Sequence, residues 1–118
     1  MKRILLVDDN PANRELLREI LELDAYEIEE AEDGLNAIEL YKALKPDLTI
    51  LDLQMPGLDG FQTLEGILGC NRNALVVAVT AFAMRGDKER ALAAGFREYI
   101  TKPVEMTQLR SRVRELLS

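Results

Sequence analysis

Five short aliphatic runs, at residues 3–7, 26–31, 48–53, 75–80 and 97–101, divide the chain into a regular alternation. Between them the apolar residues recur at three- and four-residue intervals, the period of a helix packed along one side. The pattern predicts a βα unit repeated five times. Three of the runs, ILLV, LTILDL and ALVVAV, are continuously apolar, as in central strands of a parallel sheet covered on both faces. The run YEIEEA alternates and is assigned to a more exposed edge.

Local signals place the helices. Asn10-Pro11 reads as a cap followed by proline at the first helical position, and Leu16, Leu17, Ile20 and Leu21 form the predicted buried stripe of the first helix. Its other face, Arg14, Glu15, Arg18, Glu19 and Glu22, reads as solvated. Asp33 caps the second helix, which carries Leu35, Ile38, Leu40 and Tyr41 and ends at Lys45-Pro46. The third is predicted over 60–69 and is weakened by Gly66. The fourth runs over about 85–94, with Gly95 ending it in a left-handed conformation. The fifth covers 105–117, with Met106, Leu109, Val113 and Leu116 in register and Arg110, Arg112 and Arg114 between. No linker or longer repeat interrupts the series, so one domain over 1–118 with no output domain is expected. Right-handed crossovers turn five such units into a doubly wound α/β sheet, whose ligands bind at the carboxyl ends of the strands where strand order reverses.

Composition narrows the chemistry. The 118 residues include no histidine, no tryptophan and one cysteine, Cys70. This removes Ser-His-Asp and Cys-His nucleophiles, histidine zinc sites and any phosphohistidine carrier role, and it leaves no internal disulfide. Cys70 reads as inert, and the cysteine usage fits a reducing compartment. With 21 acidic against 15 basic residues the net charge is −6, so neither nucleic acid nor an anionic membrane is an expected partner. The opening MKRILLVDDN turns acidic after four apolar residues, unlike a signal core, and a soluble cytoplasmic protein is expected.

The strand ends carry the candidate chemistry. The first strand ends in Asp8-Asp9, the third in Asp52, the fourth in Thr80-Ala81 and the fifth in Lys102-Pro103. A lone aspartate at such a place is usually a cap or turn former. Together, on one edge of a parallel sheet, they bring three carboxylates, a hydroxyl and an ammonium into a small volume. Three like charges need a counter-charge, and a hard, oxygen-seeking dication answers the need: Mg²⁺, with Mn²⁺ as the alternative, keeps several waters and leaves room for a phosphoryl oxygen.

At this point the blocks ILLVDDN, LDLQMPGLDG, VTAFA and YITKP, in this order, resemble those of the bacterial two-component response-regulator receiver domain across essentially the whole chain. The resemblance implies a flavodoxin-like (βα)5 fold and a Mg²⁺-dependent phosphoacceptor. By position, Asp52 matches the phosphorylated carboxylate, and Asp8 and Asp9 the acidic pair that holds Mg²⁺, with Asp9 the direct ligand. Asp52 itself and the backbone carbonyl of Gln54 complete the ligand set. Thr80 matches the switch hydroxyl, Lys102 the cation that pairs with the phosphoryl group, and Tyr99 the aromatic that follows the hydroxyl inward; a half-buried strand residue is the plainer reading of Tyr99. Lys102-Pro103 resembles a bond that is cis in this family.

With no histidine in the chain, the donor implied is a histidine kinase or a histidine phosphotransfer protein. The first-helix face with Arg14 and Arg18 is a candidate docking surface for it, and the fourth and fifth helices a candidate output surface toward an unknown downstream protein. The run VTAFAMRGDKERALAAG is more similar to single-domain regulators and hybrid-kinase receivers than to DNA-binding regulators. Phe82 either limits water access to an acyl phosphate or packs at a helix entrance. The residues also admit a Mg²⁺-dependent aspartyl phosphatase or phosphotransferase, although such a site usually reads Asp-x-Asp along one strand. A nucleotide- or flavin-binding module is disfavoured because DDNPAN holds no phosphate-cradling glycine loop.

Overall fold

Each aliphatic run forms a strand and each segment between them a helix. In the computed structural model, which describes residues 1–55, 57–81 and 85–118, the order is β1 (Arg3–Val7), α1 (Pro11–Glu22), β2 (Glu27–Ala31), α2 (Gly34–Leu44), β3 (Leu48–Asp52), α3 (Gly60–Cys70), β4 (Val76–Thr80), α4 (Asp87–Ala94), β5 (Glu98–Thr101) and α5 (Met106–Leu117). The strands form one parallel sheet in the order β2-β1-β3-β4-β5. The alternating β2 lies at an edge, as its pattern required.

Because side chains alternate across a strand, the core splits into two layers. Ile4, Leu6, Leu48, Ile50, Val77, Val79 and Ile100 pack against Leu17, Ile20 and Leu21 of α1 and Leu109 and Val113 of α5. Leu5, Val7, Leu51, Val76 and Ala78 face Ala37 and Tyr41 of α2, Leu64 and Ile67 of α3 and Ala91 of α4.

Caps define the helix ends. The Asn10 side chain accepts from Ala12 N, Asp33 from Asn36 N, and Glu105 from Thr107 N and Gln108 N. Asp59 and Gln62 form a reciprocal capping box at the start of α3. Gly66, the residue that weakens α3 on propensity, lies where α3 meets α2, and a Cβ there would overlap Ile38 Cδ1. Gly95 closes α4 at φ 122.

The structure corrects several expectations. Leu35 is 67% exposed, because it stands two residues, about 200°, round the helix from buried Ala37. Leu16 is 53% exposed on the flank of the α1 stripe, and Met106 is exposed in the first turn of α5. α4 begins at Asp87 rather than 85, since Gly86 at φ 87 lies outside helical geometry. Glu105 caps α5 instead of belonging to it. No helix among the described residues is long and apolar enough to cross a membrane.

Candidate functional site

Strand order reverses between β1 and β3, where α1 leads outward to β2 and the chain later returns to the other side of β1. Their carboxyl ends therefore open a crevice that no crossover covers. Asp8, just past β1, and Asp52, the last residue of β3, enter it while 3% and 5% exposed; Asp9 beside them is exposed. Carboxylate oxygens of Asp8, Asp9 and Asp52 all lie within 4.8 Å of one another.

The fifth strand supplies the counter-charge. Lys102 follows β5, and its Nζ donates to Asp52 Oδ2 at 3.1 Å and Asp8 Oδ2 at 3.3 Å. The second oxygen of each carboxylate accepts a backbone N–H, Asn10 N on Asp8 Oδ1 and Gln54 N on Asp52 Oδ1. Burial, and next the Asp8 charge, push the Asp52 carboxyl above the usual range, although the Gln54 N–H and Lys102 pull it down. Burial pulls Lys102 down, yet Asp52 and Asp8 together hold its ammonium above the ordinary value. The Lys102-Pro103 bond is cis.

Among the described residues three carboxylates thus face one ammonium. An all-oxygen, acid-rich donor set with excess negative charge fits a hard divalent cation of the Mg²⁺ class.

Thr80 ends β4 with 3% exposure, opposite Thr101. The side chain of Gln54 spans from β3 to β4, Oε1 accepting from Ala81 N at 3.2 Å. Tyr99, on β5 beside Ala78, packs partly buried against the α2/α3/α4 layer. Its hydroxyl is buried with no hydrogen-bond partner among the described residues, and burial followed by the Asp87 charge raises its pKa. Phe82 lies outside the described residues.

A family model for the response regulator receiver domain matches residues 4–114. The chain belongs to that family. A receiver is a phosphoacceptor module of two-component signalling. This receiver is 34% identical over 118 residues to the polar-differentiation response regulator DivK of Brucella anthropi, covering 98% of the chain and 96% of DivK. It is 42% identical over 108 residues to the signal transduction histidine-protein kinase BarA of Shigella flexneri, covering 90% of the chain and 12% of BarA. Among solved structures it is similar to the response regulator TrrA of Thermotoga maritima in complex with Mg²⁺–BeF, with a TM-score of 0.90, 37% identity, and coverage of 99% of this chain and 100% of that one.

Two features of the receiver escaped the sequence pattern. Arg14 and Arg18, read as a solvated face, turn back onto β2: Arg14 Nε donates to Glu30 Oε1 at 2.9 Å and Arg18 Nε to Glu30 Oε2 at 2.7 Å. Their side chains, 15% and 34% exposed, are thus paired with Glu30. The exposed Leu16 instead lines an apolar groove of about 440 Å³ with Asn13, Leu17, Ala81, Lys102, Pro103 and Val104, contiguous with the carboxylate site through Lys102. A larger groove of about 790 Å³, lined by Tyr41, Lys42, Lys45, Cys70 and Asn71 among others, touches none of the site side chains. The alternation of YEIEEA marked β2 as an edge, but nothing in it marked Glu30 as the partner of two arginines.

Proposed function

We propose that this receiver takes a phosphoryl group from a phosphohistidine donor onto Asp52 and signals through protein–protein contact. The observation that carries the reading is the placement of Asp52, 5% exposed, within 4.8 Å of the Asp8 and Asp9 carboxylates and bonded to Lys102. Asp8, Asp9, Asp52 and the Gln54 backbone carbonyl would hold Mg²⁺, which when bound stabilises charge on the phosphoryl oxygens.

Phosphoryl transfer asks little of a protein beyond position and charge. An Asp52 carboxylate oxygen attacks phosphorus in line. The new O–P bond forms as the donor N–P bond breaks, and its electron pair remains on the donor imidazole. Lys102 then pairs with a phosphoryl oxygen, the group already being charged and within reach of Asp52. Chemistry is confined to this self-modification and its hydrolysis. The added charge draws the Thr80 hydroxyl toward the phosphoryl group, and Tyr99 follows into the vacated space, re-posing the α4–α5 face toward a downstream protein.

Since residues 1–118 hold no histidine, the donor imidazole lies outside them, on a histidine kinase or histidine phosphotransfer protein. Its apolar surface docks on the groove around Leu16, Pro103 and Val104 next to Lys102. In this reading residues 1–118 act as the receiver unit in the cytoplasm, without contact to nucleic acid or membrane.

The test is phosphotransfer from phosphohistidine donors with and without Mg²⁺, followed by mass spectrometry. One phosphoryl group appears on Asp52 only with the metal. Asp52→Asn abolishes the acid-labile product, and labelling retained by that variant refutes the assignment.

A further inference from the structure

One arginine connects the loop that carries two of the carboxylates to the edge of the sheet. Arg14 Nη1 donates to the backbone carbonyl of Asp8, while its Nε donates to Glu30 Oε1 at 2.9 Å. The side chain is only 15% exposed. Glu30 is itself locked, because its other oxygen accepts from Arg18 Nε at 2.7 Å. Burial pushes the Glu30 carboxyl up, but the bonds from Arg18 and Arg14 outweigh it and hold the group below its usual range.

The carbonyl that Arg14 grips belongs to the peptide joining Asp8 to Asp9. A peptide is planar, so fixing its oxygen fixes the nitrogen of Asp9 and the direction in which that residue leaves β1. The Asp8 N–H, bonded to Ala31 O at 3.2 Å, anchors the preceding side. Among the described residues the Asp9 side chain accepts no hydrogen bond, so its aim depends on its backbone. Glu30 also neutralises the guanidinium, so this anchor adds little repulsion toward a cation.

Resting on the metal site proposed above, we propose that Arg14, clamped by Glu30, is a positioning residue for the divalent cation. It orients the Asp8–Asp9 peptide so that both carboxylates converge with Asp52. Arg18 shares Glu30 and bonds Ile28 O but does not touch that peptide, and serves as the matched control.

The experiment titrates Mg²⁺ into the phosphate-free protein by calorimetry, with unfolding midpoints measured in parallel. Arg14→Gln weakens Mg²⁺ binding roughly tenfold, the scale of an outer-shell loss. Arg18→Gln lowers the unfolding midpoint but keeps the wild-type Kd. Should Arg14→Gln fail to fold, Arg14→Met keeps the aliphatic stem packed and carries the same comparison. Wild-type affinity in the Arg14 variants, or an equal loss in Arg18→Gln, overturns the positioning role. A wild-type protein that binds no Mg²⁺ instead overturns the metal site itself, and the positioning role with it.

Discussion

Replacing Lys102 with methionine removes an ammonium bonded to both Asp8 and Asp52 while keeping an unbranched side chain in place. At its distances of 3.1 and 3.3 Å from Asp52 and Asp8, each Coulomb attraction is about 5 kcal/mol at an effective dielectric of about 20. Desolvating the three charges offsets much of that. Loss of one partner from a buried ion pair costs about 3 to 5 kcal/mol, and Lys102, with a side chain 20% exposed, belongs at the lower end. Lys102→Met is therefore expected to lose about 3 kcal/mol of stability without Mg²⁺. Its Mg²⁺ affinity moves the other way, rising roughly tenfold because a nearby positive charge is gone. Phosphotransfer slows by about a hundredfold, the scale of losing one electrostatic stabiliser of the transition state.

The pH dependence of that loss has a definite sign. Burial and the Asp8 charge already hold Asp52 above its ordinary value, and removing Lys102 moves it further up. A carboxyl whose folded-state pKa exceeds its unfolded value favours folding when protonated. Its contribution is full below the unfolded value near 3.8 and is lost as pH rises through the folded one. The deficit of the variant is thus largest at neutral pH and shrinks on acidification. Urea unfolding followed by circular dichroism suits a chain without tryptophan, and calorimetry gives the metal affinity. Unchanged stability in the metal-free variant, or weaker Mg²⁺ binding, refutes the reasoning.

Three further outcomes are expected. Leu16→Asp slows transfer from a phosphohistidine protein about tenfold, on the scale of one buried apolar side chain, but leaves the rate with a small phosphodonor unchanged; equal slowing of both removes the groove from donor docking. Gly66→Ala destabilises by about 1 to 3 kcal/mol through overlap with Ile38, despite a helix-propensity gain of about 1 kcal/mol, and a raised melting midpoint contradicts that packing. Mg²⁺ at a hundredfold excess over its Kd stabilises the folded state by about 2.7 kcal/mol; chelation reverses the shift, and Asp9→Asn reduces it.

Much of the architecture was legible because the signals that specify it are local. Alternation in YEIEEA identified an edge strand, and Asn10-Pro11 and Asp33 marked helix starts that the structure places within a residue. The strand-end residues Asp8, Asp9, Asp52 and Lys102 were likewise recognisable, since parallel strands deliver their carboxyl ends to one edge of the sheet. Apolar periodicity failed at Leu16 and Leu35, where a helix meets the sheet over a narrower arc than its hydrophobic residues span. It also gave no account of Gly66, whose missing side chain is needed by a residue of another helix.

Residue order alone determined the five βα units, the one-ended gathering of acids and the lack of any histidine within these 118 residues, because these follow from local period, parallel direction and composition. Tertiary structure decided which polar groups meet: Arg14 and Arg18 with Glu30, Lys102 with Asp8 and Asp52, and the Gln54 amide with Ala81. Those pairings join positions up to 94 residues apart. They exist only once strand register and helix docking bring long side chains within hydrogen-bond reach, a distance that spacing along the chain does not encode.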